Sequence, residues 1–453
     1  MDFQSSSFLC SKWYNSLMNI CLLNDSFPPV IDGVANVVMN YGRVLTEELN
    51  ERVVVGTPKY PDVDYTGYPY KVIPYPSIDT TKIVAGYRTG NSLAIREINE
   101  IADEAPDIIH THCPAASTLM ARVLQYETGA PVVFTYHTKF DVDIERAVGE
   151  GILKKETIRA MVQNISACDE VWVVSKGAGE NLRSLGFEGN YRVMNNGVDF
   201  ARGKASDEAV AKVTSDYDLP KGVPVFLFVG RLVKYKGIPL ILDALKKLDN
   251  EGMDFRMLLV GGGPDENELK DRVIELGLER KVIFTGPIRD REALRAINTR
   301  GDLFLFPSTY DTNGIVVREA AACGLASVLI KNSCAAEGIT HGRNGYVIDE
   351  NPEAMAALLK DVCRDLARVK QVGENAMNEI YISWEDAVRC AHRRYGELIE
   401  MRKDGTLPGR KHVPTDFLFE ATADLAEGFR RIKDLRATIR ETIKESFDNE
   451  FWD

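Results

Sequence analysis

The chain has little of what builds metal clusters or disulfide frameworks. Its eight cysteines, Cys10, Cys21, Cys113, Cys168, Cys323, Cys334, Cys363 and Cys390, include no CxxC pair and show neither zinc nor disulfide spacing. They read as small buried residues of a reducing compartment, which makes the cytoplasm the expected location. Six scattered histidines suggest no metal cluster. No apolar run approaches the roughly 20 residues of a membrane span. Positive charge is in deficit, with 55 Lys and Arg against 67 Asp and Glu and a net charge of −12. That argues against a general nucleic-acid binder and leaves room for a local basic site for phosphates. The first 17 residues lack the charged start and apolar run of a signal peptide and read as a disordered leader before Met18.

What is present is ordinary globular composition, 45% apolar and 27% charged, over 453 residues. That length exceeds one ordinary core and suits two α/β domains with an appendage. In residues 18–200, apolar runs at Asn19–Leu23, Val53–Gly56, Ile108–His110, Val132–Tyr136 and Val171–Val174 alternate with helical patterns, as in a parallel sheet. Residues 201–222, with charge, Pro and Gly, read as a linker. A second series, 223–382, has strands at Val225–Val229, Arg256–Val260, Val282–Thr285, Leu303–Phe306, Ser327–Ile330 and Gly345–Ile348. Residues 383–403 form a long helical pattern and 404–453 an extension. Leu425, Phe429, Ile432, Leu435, Ile439 and Ile443 recur there at helical spacing. Such a helix suits packing on its own protein or homodimerisation.

Chemistry-bearing residues gather at predicted strand ends, where doubly wound sheets hold their ligands. Gly33 follows the first strand and would let backbone approach a phosphate, although a glycine there serves turns equally well. His112 and His137 end two strands; His112 reads as structural, while His137 is balanced between packing and chemistry at neutral pH. Arg231 and Lys236, just past VFLFV, can clamp a pyrophosphate, the first as a fork and the second as a point charge. GGGP at 261–264 either admits a ligand or makes a tight turn. In FPSTYDTNGIVVREAAACG, residues 306–324, Asp311 lies on a loop and Gly314 opens a helix whose first N–H groups favour an anion. Glu319 lies further along that helix, where a surface salt bridge is the plain alternative.

With these residues in place, the chain resembles the family 4 glycosyltransferases of the GT-B fold over about residues 18–400. The carriers are Asp311-x7-Glu319 before AAACG, GRLVKYKG, NNGVD at 195–199, FPPVIDGVA, GGGP and FTG. The resemblance implies an α/β protein of two Rossmann-like domains facing across a cleft, with residues 383–403 crossing back to the first. It implies phosphate contacts from Gly33, Arg231, Lys236, Gly314 and Ile315, and a nucleoside side from Ile288, Val316 and Glu319, the last holding the ribose. Donor-sugar contacts would come from Asp311, Asn313 and His137, with His137 beside the reacting carbon and His137 and Asp311 as the catalytic pair. Asp311 stands where the family usually has Glu, and its shorter arm draws the carboxylate back by about one C–C bond.

The resemblance further implies retention of anomeric configuration, with no cofactor and no metal. The D-x-D tripeptides Asp62-Val63-Asp64 and Asp141-Val142-Asp143 read as loop acids. The expected donor is a nucleotide diphosphate hexose, UDP favoured, and the expected acceptor a glycolipid or cell-surface glycan precursor. Residues 18–200 carry 16 Lys and Arg against 24 Asp and Glu, with one compact basic cluster at Lys154, Lys155 and Arg159. That cluster fits a solvated helix face or a peripheral contact at the inner face of a membrane. A sugar-nucleotide epimerase on the same fold, or a non-catalytic nucleotide-sugar binding protein, is the competing reading.

Overall fold

A computed structural model describes residues 17–30, 32–81, 87–141, 144, 145, 149–409, 412, 413 and 415–431. The chain divides into two compact units. Unit 1 comprises residues up to Val173, Gly179–Met194 and Val388 onward; unit 2 comprises Val174–Ala178 and Asn195–Ala387.

Unit 1 is built on β1 (Asn19–Leu23), β2 (Arg52–Pro58), β3 (Lys71–Tyr75), β4 (Ser77–Asp79), β5 (Arg88–Gly90), β6 (Ile108–Thr111), β7 (Val132–Tyr136), β8 (Glu170–Val173) and β9 (Tyr191–Val193). Seven of these form one sheet in the order β3-β2-β1-β6-β7-β8-β9, every pair parallel. The continuously buried runs ICLL, IIHT and VVFTY are what a parallel sheet covered on both faces demands. The strands β3 and β9 and the antiparallel β4–β5 pair escaped the sequence reading, because they are partly exposed and carry no continuous apolar run.

Unit 2 holds β10 (Val225–Val229), β11 (Arg256–Val260), β12 (Val282–Gly286), β13 (Leu303–Phe306), β14 (Ser327–Ile330) and β15 (Tyr346–Ile348). They form a second parallel sheet in the order β12-β11-β10-β13-β14-β15. In each sheet the chain order reverses beside one strand, between β1 and β6 and between β10 and β13. Those reversals open a crevice at the carboxyl ends.

Two boundaries differ from the sequence reading. The span 201–222 is not a plain linker, since it contains the helix Asp207–Thr214, capped by Ser206. The change of unit falls at Asn195 rather than after 200, because Val198 pairs with Ser383 and donates to the carbonyl of Ile382. The helix Trp384–Lys403 divides, with Trp384–Ala387 counted in unit 2 and the rest in unit 1. Of the extension, a helix spans 416–431. Leu425 and Phe429 are exposed on it, while Ile432, Leu435, Ile439 and Ile443 lie outside the described residues, as does the leader up to residue 16. Among the described residues no helix is long and apolar enough to cross a membrane.

Candidate active site

The reversal between β10 and β13 explains how distant residues of unit 2 meet. The loops leaving these neighbouring strands carry Arg231–Lys236 and Ser308–Asn313. Together they line an open recess of about 150 Å³ that includes Gly230, Lys236, Phe306, Asp311, Asn313 and Ile315. The Lys236 ammonium lies 2.5 Å from Asp311 Oδ1 and 5.6 Å from the centre of the Phe306 ring. An ammonium has three N–H donors, so one spent on Asp311 leaves two. Arg231 is exposed, and its guanidinium has no ion-pair partner among the described residues.

Three buried polar atoms here lack a hydrogen-bond partner among the described residues: Asp311 Oδ2 and both amide atoms of Asn313. Each such atom costs about 1–3 kcal/mol. The Asn313 side chain, rather than only its backbone N–H, therefore faces the problem of satisfaction, which spacing alone did not reveal. Beyond it Gly314 adopts φ +57°, and a β-carbon there would lie 3.0 Å from Cβ of Ala335. Only glycine fits both demands. No side chain caps the helix Ile315–Ala322 that follows, so its first N–H groups stay available.

Glu319 is not on the surface, being 7% exposed. Its Oε1 accepts from Arg291 at 2.6 Å, and Arg291 also lies 3.6 Å from Asp199 and over the Phe200 ring. Burial pushes the Glu319 carboxyl up, opposed by the Arg291 charge. Arg291 was missed in the sequence because nothing local marks an arginine at a helix start as the partner of a carboxylate 28 residues on. Ile288 is half-buried on the loop after β12 and packs against the core, and Val316 is half-buried beside the recess. GGGP is a packing device. A β-carbon on Gly261 would fall 1.9 Å from the Gly230 carbonyl oxygen, so two strand exits press backbone to backbone there.

In unit 1 the carboxyl ends of β1, β6 and β7 collect Asn24, Asp25, His112 and His137. Asp32 caps the helix Gly33–Arg43 by accepting from Val34 N at 2.8 Å and Ala35 N at 2.7 Å, and also from the Tyr87 hydroxyl at 2.6 Å. A β-carbon on Gly33 would meet nothing within 4 Å, so the fold itself does not require glycine there. Asp25 accepts from Ser117 N at 2.7 Å and closes the start of helix Ala116–Thr128, which has no cap of its own. Burial raises its carboxyl to about 6 against that hydrogen bond.

Three imidazoles stand in a row in this unit. His110 is engaged at both nitrogens, by the Tyr395 hydroxyl at 2.5 Å and by Thr135 Oγ1 at 2.7 Å. His112 Nδ1 lies 3.0 Å from His137 Nε2. Burial lowers all three, His137 to about 4, with Asp32 pulling weakly the other way. Each ring is therefore neutral at neutral pH. Of the D-x-D tripeptides, Asp62 and Asp64 are exposed and Asp64 accepts from Thr66 N at 2.9 Å. Val142 and Asp143 of the second lie outside the described residues.

Comparison with known proteins bears on the family and the fold. The model of Glycosyltransferase Family 4 matches residues 31–202, and that of Glycosyl transferases group 1 matches residues 212–379. An uncharacterised glycosyltransferase of Methanocaldococcus jannaschii is 25% identical over 400 residues, covering 85% of this chain and 99% of that protein. An alpha-monoglucosyldiacylglycerol synthase of Streptococcus pneumoniae is 27% identical over 415 residues, covering 87% and 90%. The crystal structure of Anabaena HepE in complex with UDP shares the fold at TM-score 0.67 and 19% identity, over 84% of this chain and 100% of that one. With both units matched by glycosyltransferase family models and the two-sheet fold shared, the chain belongs to the family 4 glycosyltransferases of the GT-B fold.

Proposed function

We propose that this glycosyltransferase moves a hexose from a nucleoside diphosphate sugar, a UDP-sugar, to a hydroxyl of a glycolipid or cell-surface glycan precursor, with retention and without a metal. One observation carries the reading: the recess joins a lysine with spare donors to three unpartnered buried polar atoms that hydroxyl groups would satisfy. The similarity to a glucolipid synthase and to a UDP-bound structure supports the choice of donor and acceptor.

The proposed step is a front-face displacement. The acceptor oxygen bonds to the anomeric carbon as the bond to the diphosphate oxygen breaks, and the acceptor proton passes to a departing phosphate oxygen. Charge that develops on the diphosphate would meet Arg231, Lys236 and the uncapped helix start at Gly314 and Ile315, of which Lys236, held by Asp311, and the helix start are fixed in advance. Asp311 Oδ2 and Asn313 would hold sugar hydroxyls, Glu319 the ribose, and Ile288 and Val316 the base. Gly33 would sit against phosphate, and neutral His137 would hydrogen-bond the sugar beside the reacting carbon.

A panel of nucleotide sugars, with released diphosphate followed with and without acceptors in EDTA, tests the whole reading. Release that depends on a UDP-hexose and an acceptor is expected. Donor conversion without acceptor would make the chain an epimerase, and loss of turnover in EDTA restored by Mn²⁺ would end the metal-free reading. For the membrane contact, the exposed Ile152 and Leu153 beside Lys155 are the supporting feature, and sedimentation with anionic vesicles is the check. Homodimerisation rests on Leu425 and Phe429, 58% and 56% exposed. Unchanged mass by light scattering after both are made Glu would exclude pairing through this face.

A further inference from the structure

We infer that His112 is a positioning residue for His137: it donates from Nδ1 to His137 Nε2 and so fixes which nitrogen of His137 carries the proton. The inference rests on the reading of His137 as a group beside the donor sugar. His112 is 2% exposed. Its ring is held by His110, with centroids 4.0 Å apart, by the edge of Tyr41 at 5.7 Å and by stacking on His137 at 5.3 Å. His110 is itself tied at both nitrogens, so the row cannot rotate freely.

The 3.0 Å contact between two imidazole nitrogens holds one proton. Burial disfavours a charge on either ring, so both are neutral and one must donate. Were His137 the donor, His112 would carry its own proton on Nε2, a buried atom with no partner among the described residues. A buried orphan N–H is the rarer defect in folded proteins, and a bare acceptor is tolerated more often. His112 therefore donates, its Nε2 is the unprotonated nitrogen, and His137 keeps its proton on Nδ1. In a pair of this kind the bond made at one nitrogen decides the state of the other.

The test combines spectroscopy with kinetics. The chain has only six histidines, so ¹⁵N-labelled imidazoles can be assigned by substitution. The expected spectrum shows His137 protonated at Nδ1 in the intact protein and no longer held in that form in His112→Leu. His112→Asn, whose amide can donate from the same place, should restore it. Transfer should fall about tenfold or more in His112→Leu, in kcat rather than in donor KM, and return largely in His112→Asn, as for other residues that orient a histidine. A His137 proton on Nε2 in the intact protein, or equal activity of the Leu and Asn variants, overturns the inference. Full transfer by His137→Ala would overturn the reading of His137 instead, while the spectra still decide the bond.

Discussion

The fully buried Arg122 is the most exacting test of how the C-terminal extension serves the fold. It sits in the helix Ala116–Thr128 with 0% of its side chain exposed. Its guanidinium lies 2.7 Å from Asp416 Oδ1 and 2.6 Å from Asn164 Oδ1, with the Phe419 ring 3.8 Å below. Asp416 and Phe419 come from the helix 416–431, nearly 300 residues away in sequence, and Asp416 is 12% exposed. At 2.7 Å and an effective dielectric of about 20, the gross attraction is about 6 kcal/mol. Desolvation of both ions consumes most of that, so the pair adds little over a good apolar substitute. Breaking it is different, because Asp416→Ala takes a carboxylate away from a buried cation. The expected loss is about 3–5 kcal/mol. Arg122→Met should cost less, since Asp416 keeps the N–H of Val413 at 3.0 Å. Urea unfolding of both single variants and the double variant, followed by tryptophan fluorescence with Trp172 reporting on this sheet, gives the coupling directly. A cost below about 1 kcal/mol for Asp416→Ala, as for an exposed pair, would show that the extension does not hold Arg122. So would a double variant as unstable as the two singles added together.

Arg231→Ala should lower donor kcat/KM by roughly two orders of magnitude, the size of one set of charge-assisted contacts; unchanged kinetics would place the phosphates elsewhere. Gly33→Ala should leave the melting temperature unchanged, because its methyl meets open space, yet raise donor KM; an unchanged KM removes the phosphate role. Gly261→Ala should instead unfold or strongly destabilise unit 2, read by calorimetry, since its methyl would overlap the Gly230 carbonyl. Acid should weaken unit 1. His110, His112 and His137 have folded pKa values below the usual value of about 6.5, so the unfolded chain binds more protons and stability falls as pH drops below that value. Three such groups set a slope of up to about 4 kcal/mol per pH unit. Asp25, raised to about 6, acts in the opposite sense and favours the folded state on protonation. Urea midpoints at pH 5 and pH 7 that coincide would refute the neutral burial of the histidines.

Much of the fold was legible because parallel strands are buried on both faces. Runs such as VFLFV and RMLLV stand out by composition alone, and the structure places them where the runs begin and end. The short strands β3 and β9 and the β4–β5 pair were not legible, since they owe their form to neighbours rather than to a pattern of their own. Among site residues, Lys236, Asp311, Asn313, Gly314 and Ile315 could be named from a strand exit followed by a helix start, and these five converge on one recess. Gly33 and His137 belong to unit 1. The burial of Glu319, its partner Arg291 and the orphaned amide of Asn313 were invisible, because each depends on what the sheet brings beside it.

The sequence by itself determined the strands that are buried along their length, which loops carry charge and glycine, and which family's motifs run along the chain, because those are local properties of composition and spacing. Only the tertiary structure decided who meets whom. Placing β10 between β11 and β13 sets Lys236 against Asp311 across 75 residues, and placing β6 beside β7 sets His112 against His137 across 25. Strand order is a long-range choice made by burying both faces of a sheet at once, and no local pattern states it.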